Sequence, residues 1–454
     1  MEKDFDIEKL ERYIIDNSLT YYIETYGCQM NAHDSEKISG ILSSLGYSRA
    51  QDKDKADLVL FNTCCVRENA ENKIYGNVGK MKQYKKRNEE MIVGVCGCMM
   101  QQKGVADDLF RMFPFVELAF GTTNMQDLPE MLYHIIFDKE RIKLIEDDKI
   151  AEENVPMKRT PPPLSTVNIM QGCNNFCTYC IVPYVRGREH SRRIGDIITE
   201  VESLMKDGYR EVMLLGQNVN SYGSEFDRVT FPMLLEEVAK TGIDRIRFMT
   251  SHPKDATVEL FETMARHDNI CNQLHLPVQA GSSRVLKTMN RRYTREDYLS
   301  LIKTLRSIIP DVVLSSDIMI GFPGETDDEF EETVSLMEEV RYDSAFTFVY
   351  SPRKGTPAAE MPDQIPEEIK QKRIMKIVAL QNRITYESNL KDVGRSDRVL
   401  VEGKSSRDEG FIAGKTDGGK MVNLKGDISL VGQIIPVRIT EAKKTTLVGE
   451  IEGR

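Results

Sequence analysis

Between residues 21 and 136, short apolar runs rich in β-formers alternate with segments whose apolar positions recur at helical spacing. Three runs stand out: LTYYIETYG ahead of Cys28, ADLVLFNT ahead of Cys64, and EMIVGVCG ahead of Cys98. Helical-looking sequence follows each. In HDSEKISGILSSLG, for example, Ile38, Ile41, Leu42 and Leu45 share one face, and Gly46 is placed to end the helix. Alternation of this kind predicts a doubly wound parallel sheet over residues 19–150.

Residues 151–164, AEENVPMKRTPPPL, have the composition of a linker that its three prolines keep extended. The alternation then resumes over 165–390. STVNIMQG, REVMLLGQ, DRIRFMTS, QLHLPVQ, VVLSSDIMIG and SAFTFVYS read as strands, separated by helical stretches such as DIITEVESLMKDG and MLLEEVAKTG. Roughly six such units fit a complete or partial (β/α) barrel. A long amphipathic helix follows over 363–390, with Ile369, Ile374, Ile377, Leu380 and Ile384 near helical spacing. Over 391–454, alternating segments broken by glycines predict a small all-β barrel. The fold class is therefore α/β with an all-β tail. Residues 1–18 are an extension to which the pattern assigns no role.

Composition narrows the location and the chemistry. No apolar run approaches the roughly 20 residues that span a bilayer. The acidic start, MEKDFDIEKLERYIIDNS, is not a signal peptide. A cytoplasmic protein with no membrane attachment is expected, and nothing demands more than a monomer. The net charge of −10 argues against non-specific nucleic-acid binding, though not against a local basic patch. In a reducing compartment, nine cysteines point to metal ligation or catalysis rather than disulfides.

Six of those cysteines fall into two sets of three. Cys28, Cys64 and Cys98 each follow an expected strand, and ligands of open parallel sheets bind beyond the strands' carboxyl ends. Cys173, Cys177 and Cys180 form C-x3-C-x2-C after STVNIMQG, at the end of a barrel where active sites form. A cubane iron–sulfur cluster takes four thiolates, so three leave one iron open for something else. Taken singly, Cys28, Cys64 and Cys98 would read as buried core residues; their shared placement favours ligation. Cys65, Cys96 and Cys271 lack that support and read as core or incidental. The stretch PYVRGREHSRR, with Arg186, Arg188, Arg192 and Arg193, reads as a phosphate or substrate contact. Lys82, Lys85, Lys86 and Arg87 read as an exposed helix face.

C-x3-C-x2-C with Tyr179 before its last cysteine resembles the radical S-adenosylmethionine (SAM) motif. The resemblance extends over nearly the whole chain from about residue 20. ETYGCQMNAHDSE, NTCCVRENAE, GCMMQ, GCNNFCTYCIVPYVRGREHSR, LLGQNVNSYG, TSHP, LHLPVQAGS and DIMIGFPGET look like the bacterial methylthiotransferases of the radical SAM superfamily, in the branch that makes 2-methylthio-N6-isopentenyladenosine in tRNA. The family's domain order is implied too: a methylthiotransferase domain, a radical SAM core with a linking helix, and a C-terminal TRAM domain that is OB-like.

Carried onto this chain, the resemblance implies two [4Fe–4S] clusters. Cys173, Cys177 and Cys180 would hold one whose open iron binds SAM, the source of a 5′-deoxyadenosyl radical. Cys28, Cys64 and Cys98 would hold an auxiliary cluster that carries the sulfur to be inserted. Tyr179, Gln217, Asn218, Ser251, Gln279 and Asp317 are the implied SAM contacts. Gly216-Gln217-Asn218 stands where many radical SAM enzymes carry Gly-Glu, and GFPGE departs by one residue from the superfamily's pattern. The expected partners are a tRNA anticodon stem-loop bearing isopentenyladenosine and an electron donor such as flavodoxin. The two clusters are expected to serve one substrate base.

The chemistry is consistent with those parts. Carbon-2 of adenine carries a C–H bond that no side-chain base can deprotonate, so radical chemistry from a cofactor is required. The tail's net charge of +2 does not by itself identify an RNA surface. Sister enzymes acting on threonylcarbamoyl-adenosine in tRNA or on a ribosomal-protein aspartate share both cysteine sets. A non-catalytic iron–sulfur or zinc RNA-binding protein is the alternative from another class, separated by metal content.

Overall fold

The structure is a computed structural model that describes residues 5–65, 68–146, 155–405 and 410–453. Val66, Arg67 and linker residues 151–154 lie outside that set. The chain divides into two compact units. One comprises Met1–Thr160, Gln171–Asn174 and Ile181–His190; the other comprises Pro161–Met170, Asn175–Cys180 and Ser191–Arg454.

The first unit runs α1 (Ile7–Asp16), β1 (Thr20–Thr25), α2 (Gln29–Ser44), β2 (Ser48–Arg49), β3 (Leu58–Thr63), α3 (Glu68–Lys85), β4 (Ile92–Gly97), α4 (Val105–Met112), β5 (Leu118–Phe120), α5 (Leu128–Phe137) and β6 (Ile142–Leu144), with the short α6 (Val182–Val185) added later. All six strands are parallel, in the order β2-β1-β3-β4-β5-β6. β3 and β4 are buried on both faces, which is why they read as continuous apolar runs. Leu58 and Leu60 pack with Ile38, Ile41, Leu42 and Leu132 on one face. Val59 and Phe61 pack with Ile74 and Leu109 on the other. The sheet is thus doubly wound, as the alternation predicts. The N-terminal stretch, assigned no role from sequence, forms α1, whose Leu10 and Ile14 complete the first core.

The register sets up the site. Thr25 pairs with Asn62 and Thr63 with Gly97, so β1, β3 and β4 end side by side at one edge. Cys28, Cys64 and Cys98 are the residues that follow. The second half of the linker lies along α2: Lys158 N donates to Glu36 O (3.0 Å), and a Cβ on Gly40 would meet Pro156 O at 2.1 Å. The triple proline is not extended. Pro162 and Pro163 form a turn with a cis bond between them, and Pro163 O accepts from the amides of Arg210 (2.8 Å) and Glu211 (3.1 Å). The chain bends there to enter the next strand.

Two-residue strands β8 (Met170–Gln171) and β9 (His190–Ser191) fall at the unit boundaries; the second unit otherwise runs β7 (Leu164–Asn168), α7 (Ile194–Lys206), β10 (Glu211–Leu215), α8 (Phe231–Lys240), β11 (Arg245–Phe248), α9 (Val258–Arg266), β12 (Gln273–His275), α10 (Ser283–Thr288), α11 (Arg295–Ile308), β13 (Val313–Ile320), α12 (Asp327–Val340) and β14 (Ser344–Val349). Two parallel ladders, β7-β10-β11 and β12-β13-β14, are joined by a bridge between Ile246 and Ile270. The result is an open arc of six strands, a partial barrel. No helix among the described residues is long and apolar enough to cross a membrane.

The linking helix α13 spans Glu367–Leu390, starting after Pro366 rather than at 363. Ile377, Leu380 and Ile384 are buried as expected, but Ile369 is exposed. Lys370 and Arg373 take its place on the inward face. The reason is the loop after β13: Glu325 is buried there, accepts from Gly321 N (2.7 Å), and draws Arg373 Nη1 to 2.7 Å. The buried Glu325 thus holds Arg373 on that face, while Lys370 pairs with Glu367 (2.8 Å) at the start of the helix.

The tail, β15 (Ser396–Lys404), β16 (Phe411–Lys415), β17 (Met421–Lys425), β18 (Ile434–Ala442) and β19 (Leu447–Ile451), closes as β15-β16-β17-β19-β18. It docks under the amino ends of the barrel strands. Arg245 donates to the carbonyls of Lys415 (2.8 Å) and Arg398 (2.6 Å). Arg247 donates to the carbonyls of Thr416 (2.7 Å) and Asp417 (2.9 Å) and pairs with Glu211 (2.9 Å). Gly418 and Gly419 let the β16–β17 tip approach; a Cβ on Gly418 would lie 2.4 Å from Val313 Cγ2. Arg247→Met strands Glu211 as a buried, unpaired carboxylate and removes the arginine bonds to Thr416 O and Asp417 O. Loss of one partner of such a pair costs about 3–5 kcal/mol. Thermal unfolding and limited proteolysis should show a lowered Tm and earlier cleavage around the tail; an unchanged Tm would mean the latch holds nothing.

Candidate functional site

The three strand-end cysteines converge. Cys28 is the N-cap of α2, Cys64 follows β3 directly, and Cys98 follows β4. Two glycines with positive φ allow the approach, Gly27 at 111° and Gly97 at 93°. A Cβ on Gly27 would sit 2.3 Å from Cys64 Cβ, and one on Gly97 would sit 2.4 Å from Asn62 Oδ1. Asn31, one turn into α2, ties the edge together. Its Nδ2 donates to Tyr26 O and Thr63 O, both at 2.9 Å, and its Oδ1 lies 3.6 Å from Cys98 Sγ.

Electrostatics favour thiolate at this edge. A hydrogen bond from Cys64, with the backbone N–H of Asn31 and the charge of Arg186, pulls the Cys28 thiol down to about 6 against its burial. Cys98 is likewise held low, first by a hydrogen bond from Cys65 and then by Arg186. Cys65, the donor, is pushed up. Cys96 is raised by burial and faces the first core, and burial pushes Cys271 to about 12. Thiolate is the form that binds iron. No disulfide joins any of the nine cysteines. Among the described residues no three His, Cys, Asp or Glu side chains gather as they would around a single metal ion. The thiolates of a cubane stand on different iron corners and are spread wider than that.

Arg186 completes this edge. It follows α6 and is buried. Its Nη2 donates to Asp34 Oδ2 (2.7 Å) and Asn31 Oδ1 (3.0 Å), and its Nε donates to Cys98 Sγ (3.1 Å). This corrects the expectation for PYVRGREHSRR. Arg186 faces a thiol and a carboxylate rather than solvent. Arg192 is buried as well, donating to Asn168 O (2.7 Å) and Glu200 (2.6 Å), so only Arg188 and Arg193 are exposed. Lys85 departs from the exposed face expected of it: it is half-buried against Glu117 and Met91 O.

In the C-x3-C-x2-C loop, Cys173 N donates to Gly187 O (3.1 Å) in the first unit. In the second unit, Cys180 N donates to Cys177 O (2.9 Å), and Asn290 Nδ2 donates to the carbonyls of Asn175 (3.1 Å) and Phe176 (3.0 Å). Arg291, buried, reaches Cys177 Sγ (3.4 Å) and the hydroxyl of Tyr179 (3.5 Å), whose phenol is pushed well up by burial.

Beyond the carboxyl ends of β10 and β11 lies a group of buried polar atoms with no protein partner: Gln217 Oε1, Asn218 Oδ1, Asn220 Nδ2, Ser251 Oγ and His252 Nε2. Buried polar groups are normally satisfied, so such a concentration marks a place for a polar ligand. Lys254 N donates to His252 Nδ1 (3.2 Å), which places the ring proton on Nε2. Burial and the charges of Arg291 and Lys254 hold that imidazole down to about 2, hence neutral. Gln217, Asn218 and Ser251 are thus brought together. Gln279 and Asp317 lie on the other ladder, with Gln279 N donating to Asp317 O (2.9 Å) and His275 Nε2 3.6 Å from the Asp317 carboxylate. Sequence reasoning missed Asn31, Asp34, Asn220 and His252 as individuals, although the first two stand in CQMNAHDSE, Asn220 in GQNVNSYG and His252 in TSHP. Arg291 carried no motif signal.

The thiol environment has a direct consequence. In cluster-free protein the first proton of the Cys28–Cys64 pair should leave near pH 6, so iodoacetamide should modify Cys28 with a midpoint there rather than near 9. Cys64→Ala removes the donor and should move that midpoint upward. Mass spectrometry of the tryptic peptide across pH 5–9 checks both.

Residues 20–121 match the uncharacterized protein family UPF0004, 167–337 the radical SAM superfamily, and 391–451 the TRAM domain. A tRNA-2-methylthio-N(6)-dimethylallyladenosine synthase of Clostridium beijerinckii is 49% identical over 453 residues, 99% of this chain and 100% of that one. One from Clostridium botulinum (strain Okra) is 51% identical over 433 residues, 95% of this chain and 96% of that one. Among solved structures, the radical SAM methyltransferase TsrM of Kitasatospora setae, with cobalamin and a [4Fe–4S] cluster bound, superposes with a TM-score of 0.55 at 14% identity, covering 75% of this chain and 77% of that one; this likeness concerns the fold. The chain belongs to the tRNA-2-methylthio-N(6)-dimethylallyladenosine synthase family of the radical SAM superfamily.

Proposed function

We propose that this chain is the methylthiotransferase that converts N6-isopentenyladenosine beside the tRNA anticodon to its 2-methylthio derivative, using SAM and two [4Fe–4S] clusters. The observation that carries the chemistry is the meeting of three strand-end cysteines, two of them held toward thiolate, in a chain that also bears C-x3-C-x2-C. Cys173, Cys177 and Cys180 would hold the cluster that binds SAM, and Cys28, Cys64 and Cys98 the auxiliary one. When bound, these groups supply radical activation of the C–H bond and the sulfur that replaces the hydrogen.

The chain's own residues bind and orient. The unpartnered atoms of Gln217, Asn218, Asn220, Ser251 and His252 offer acceptors and donors to the polar end of SAM. The neutral His252 presents a fixed N–H that does not titrate in the working range. Tyr179 remains a protonated phenol beside Cys177, and Gln279 and Asp317 stand on the facing ladder. The target adenosine must leave its stack to be reached, and a base in an anticodon loop does so cheaply. The closed five-stranded tail is a suitable RNA-anchoring module, with Arg188 and Arg193 as exposed cations for phosphate. A flavodoxin-like electron donor, a monomeric state, a cytoplasmic setting and the domain limits 19–150, 165–390 and 391–454 belong to this reading.

Nucleoside mass spectrometry tests it. Anaerobically reconstituted protein with SAM and a strong reductant should add a methylthio group to tRNA bearing isopentenyladenosine and leave threonylcarbamoyl-modified tRNA unchanged. Product on the second tRNA alone would overturn the substrate, and tightly bound zinc in place of iron would overturn the chemistry. Iron should number about eight per chain, falling to about four in Cys28→Ala/Cys64→Ala/Cys98→Ala.

A further inference from the structure

We infer that Arg186 is a positioning residue for the Cys98 thiolate, and that with Asp34 it sets the reduction potential of the auxiliary cluster. The inference rests on the reading that Cys28, Cys64 and Cys98 hold that cluster. Burying a guanidinium is costly, and a fold retains one only when its donors are satisfied. Here one side of the fork is taken by Asp34 Oδ2 (2.7 Å) and Asn31 Oδ1 (3.0 Å). The Nε–H is left for Cys98 Sγ at 3.1 Å.

Arginine does not deprotonate in proteins, so its charge is constant. Its bond to a thiolate is charge-assisted and stronger than a neutral one. Hydrogen bonds to cluster sulfurs and local charge are two of the levers on potential, and partners behind the ligands tune the metal. On taking one electron, a cluster gains a negative charge. A guanidinium beside one of its thiolates stabilises that reduced state more than the oxidised one, which raises the potential. Asp34 opposes this from the far side of the same guanidinium. The two residues therefore predict shifts of opposite sign, and a purely structural role for the ion pair predicts neither.

The test uses the full chain carrying Cys173→Ala, Cys177→Ala and Cys180→Ala, reconstituted with iron and sulfide so that only the auxiliary site is filled. Titration with dithionite and mediators, followed by electron paramagnetic resonance, reads the midpoint potential. Arg186→Gln should lower the reduction equilibrium constant about tenfold, which is about 59 mV for one electron. Asp34→Asn should raise it, and Arg186→Lys should fall between the parent and Arg186→Gln. Potentials of Arg186→Gln and Asp34→Asn equal to the parent's, with about four irons still bound, would overturn the inference alone. A parent that binds no cluster would overturn the cluster reading and the inference with it. Should Arg186→Gln fail to fold, Asp34→Asn decides: a raised potential supports the inference and an unmoved one overturns it.

Discussion

One carboxamide holds together the sheet edge that carries Cys28, Cys64 and Cys98. Asn31 donates to the carbonyls that end β1 and β3 and lies against Cys98 at the end of β4 and against Arg186. Parallel strands in register bring their carboxyl ends to one line, but their loops then diverge into separate helices. Something must hold three diverging loops at thiol-to-thiol range. A side chain with two donors and an acceptor, rooted in the first turn of α2, does so without adding charge. Gly27 and Gly97 are the corresponding steric constraint: any side chain there would push Cys64 or Asn62 away.

The barrel divides its duties between its two ends. At the amino ends, Arg245 and Arg247 donate to the hairpin carbonyls of the tail, and Arg247 pairs with Glu211. At the carboxyl ends of β10 and β11, five buried polar atoms have no protein partner. Unsatisfied polar groups cost stability, so a fold keeps them where a ligand supplies the missing bonds. The contrast matches the general rule that the amino face of such barrels serves stability and the carboxyl face serves chemistry.

What could be read in the sequence was local. The strands before Cys28, Cys64 and Cys98 were legible because doubly buried parallel strands are continuous apolar runs, and Cys64 and Cys98 each follow theirs directly. The closed tail was legible from alternation and glycine spacing. Long-range partners were not legible. Arg186 meets Asp34 across 152 residues of sequence, so a cluster of four arginines looked like one surface when two of them are inside. Ile369 failed for the same reason. Helical spacing shows that a face exists, whereas the buried Glu325 that holds Arg373 on it comes from another loop. Composition marks the triple proline as linker but carries no information about the turn that precedes β7.

The two thiol sets also share a device that spacing could not reveal. In the first unit a buried Arg186 donates to Cys98, and in the second a buried Arg291 donates to Cys177. Their surroundings differ. Arg186 is neutralised by Asp34, so the charge felt at Cys98 is that of an ion pair. Besides Cys177, Arg291 donates to Pro277 O and the hydroxyls of Tyr293 and Tyr179, so no carboxylate compensates its charge among the described hydrogen bonds. The same residue type thus presents a damped charge at one thiol set and an undamped one at the other. An undamped guanidinium eases addition of an electron to whatever metal its thiolate binds, and a damped one eases it less.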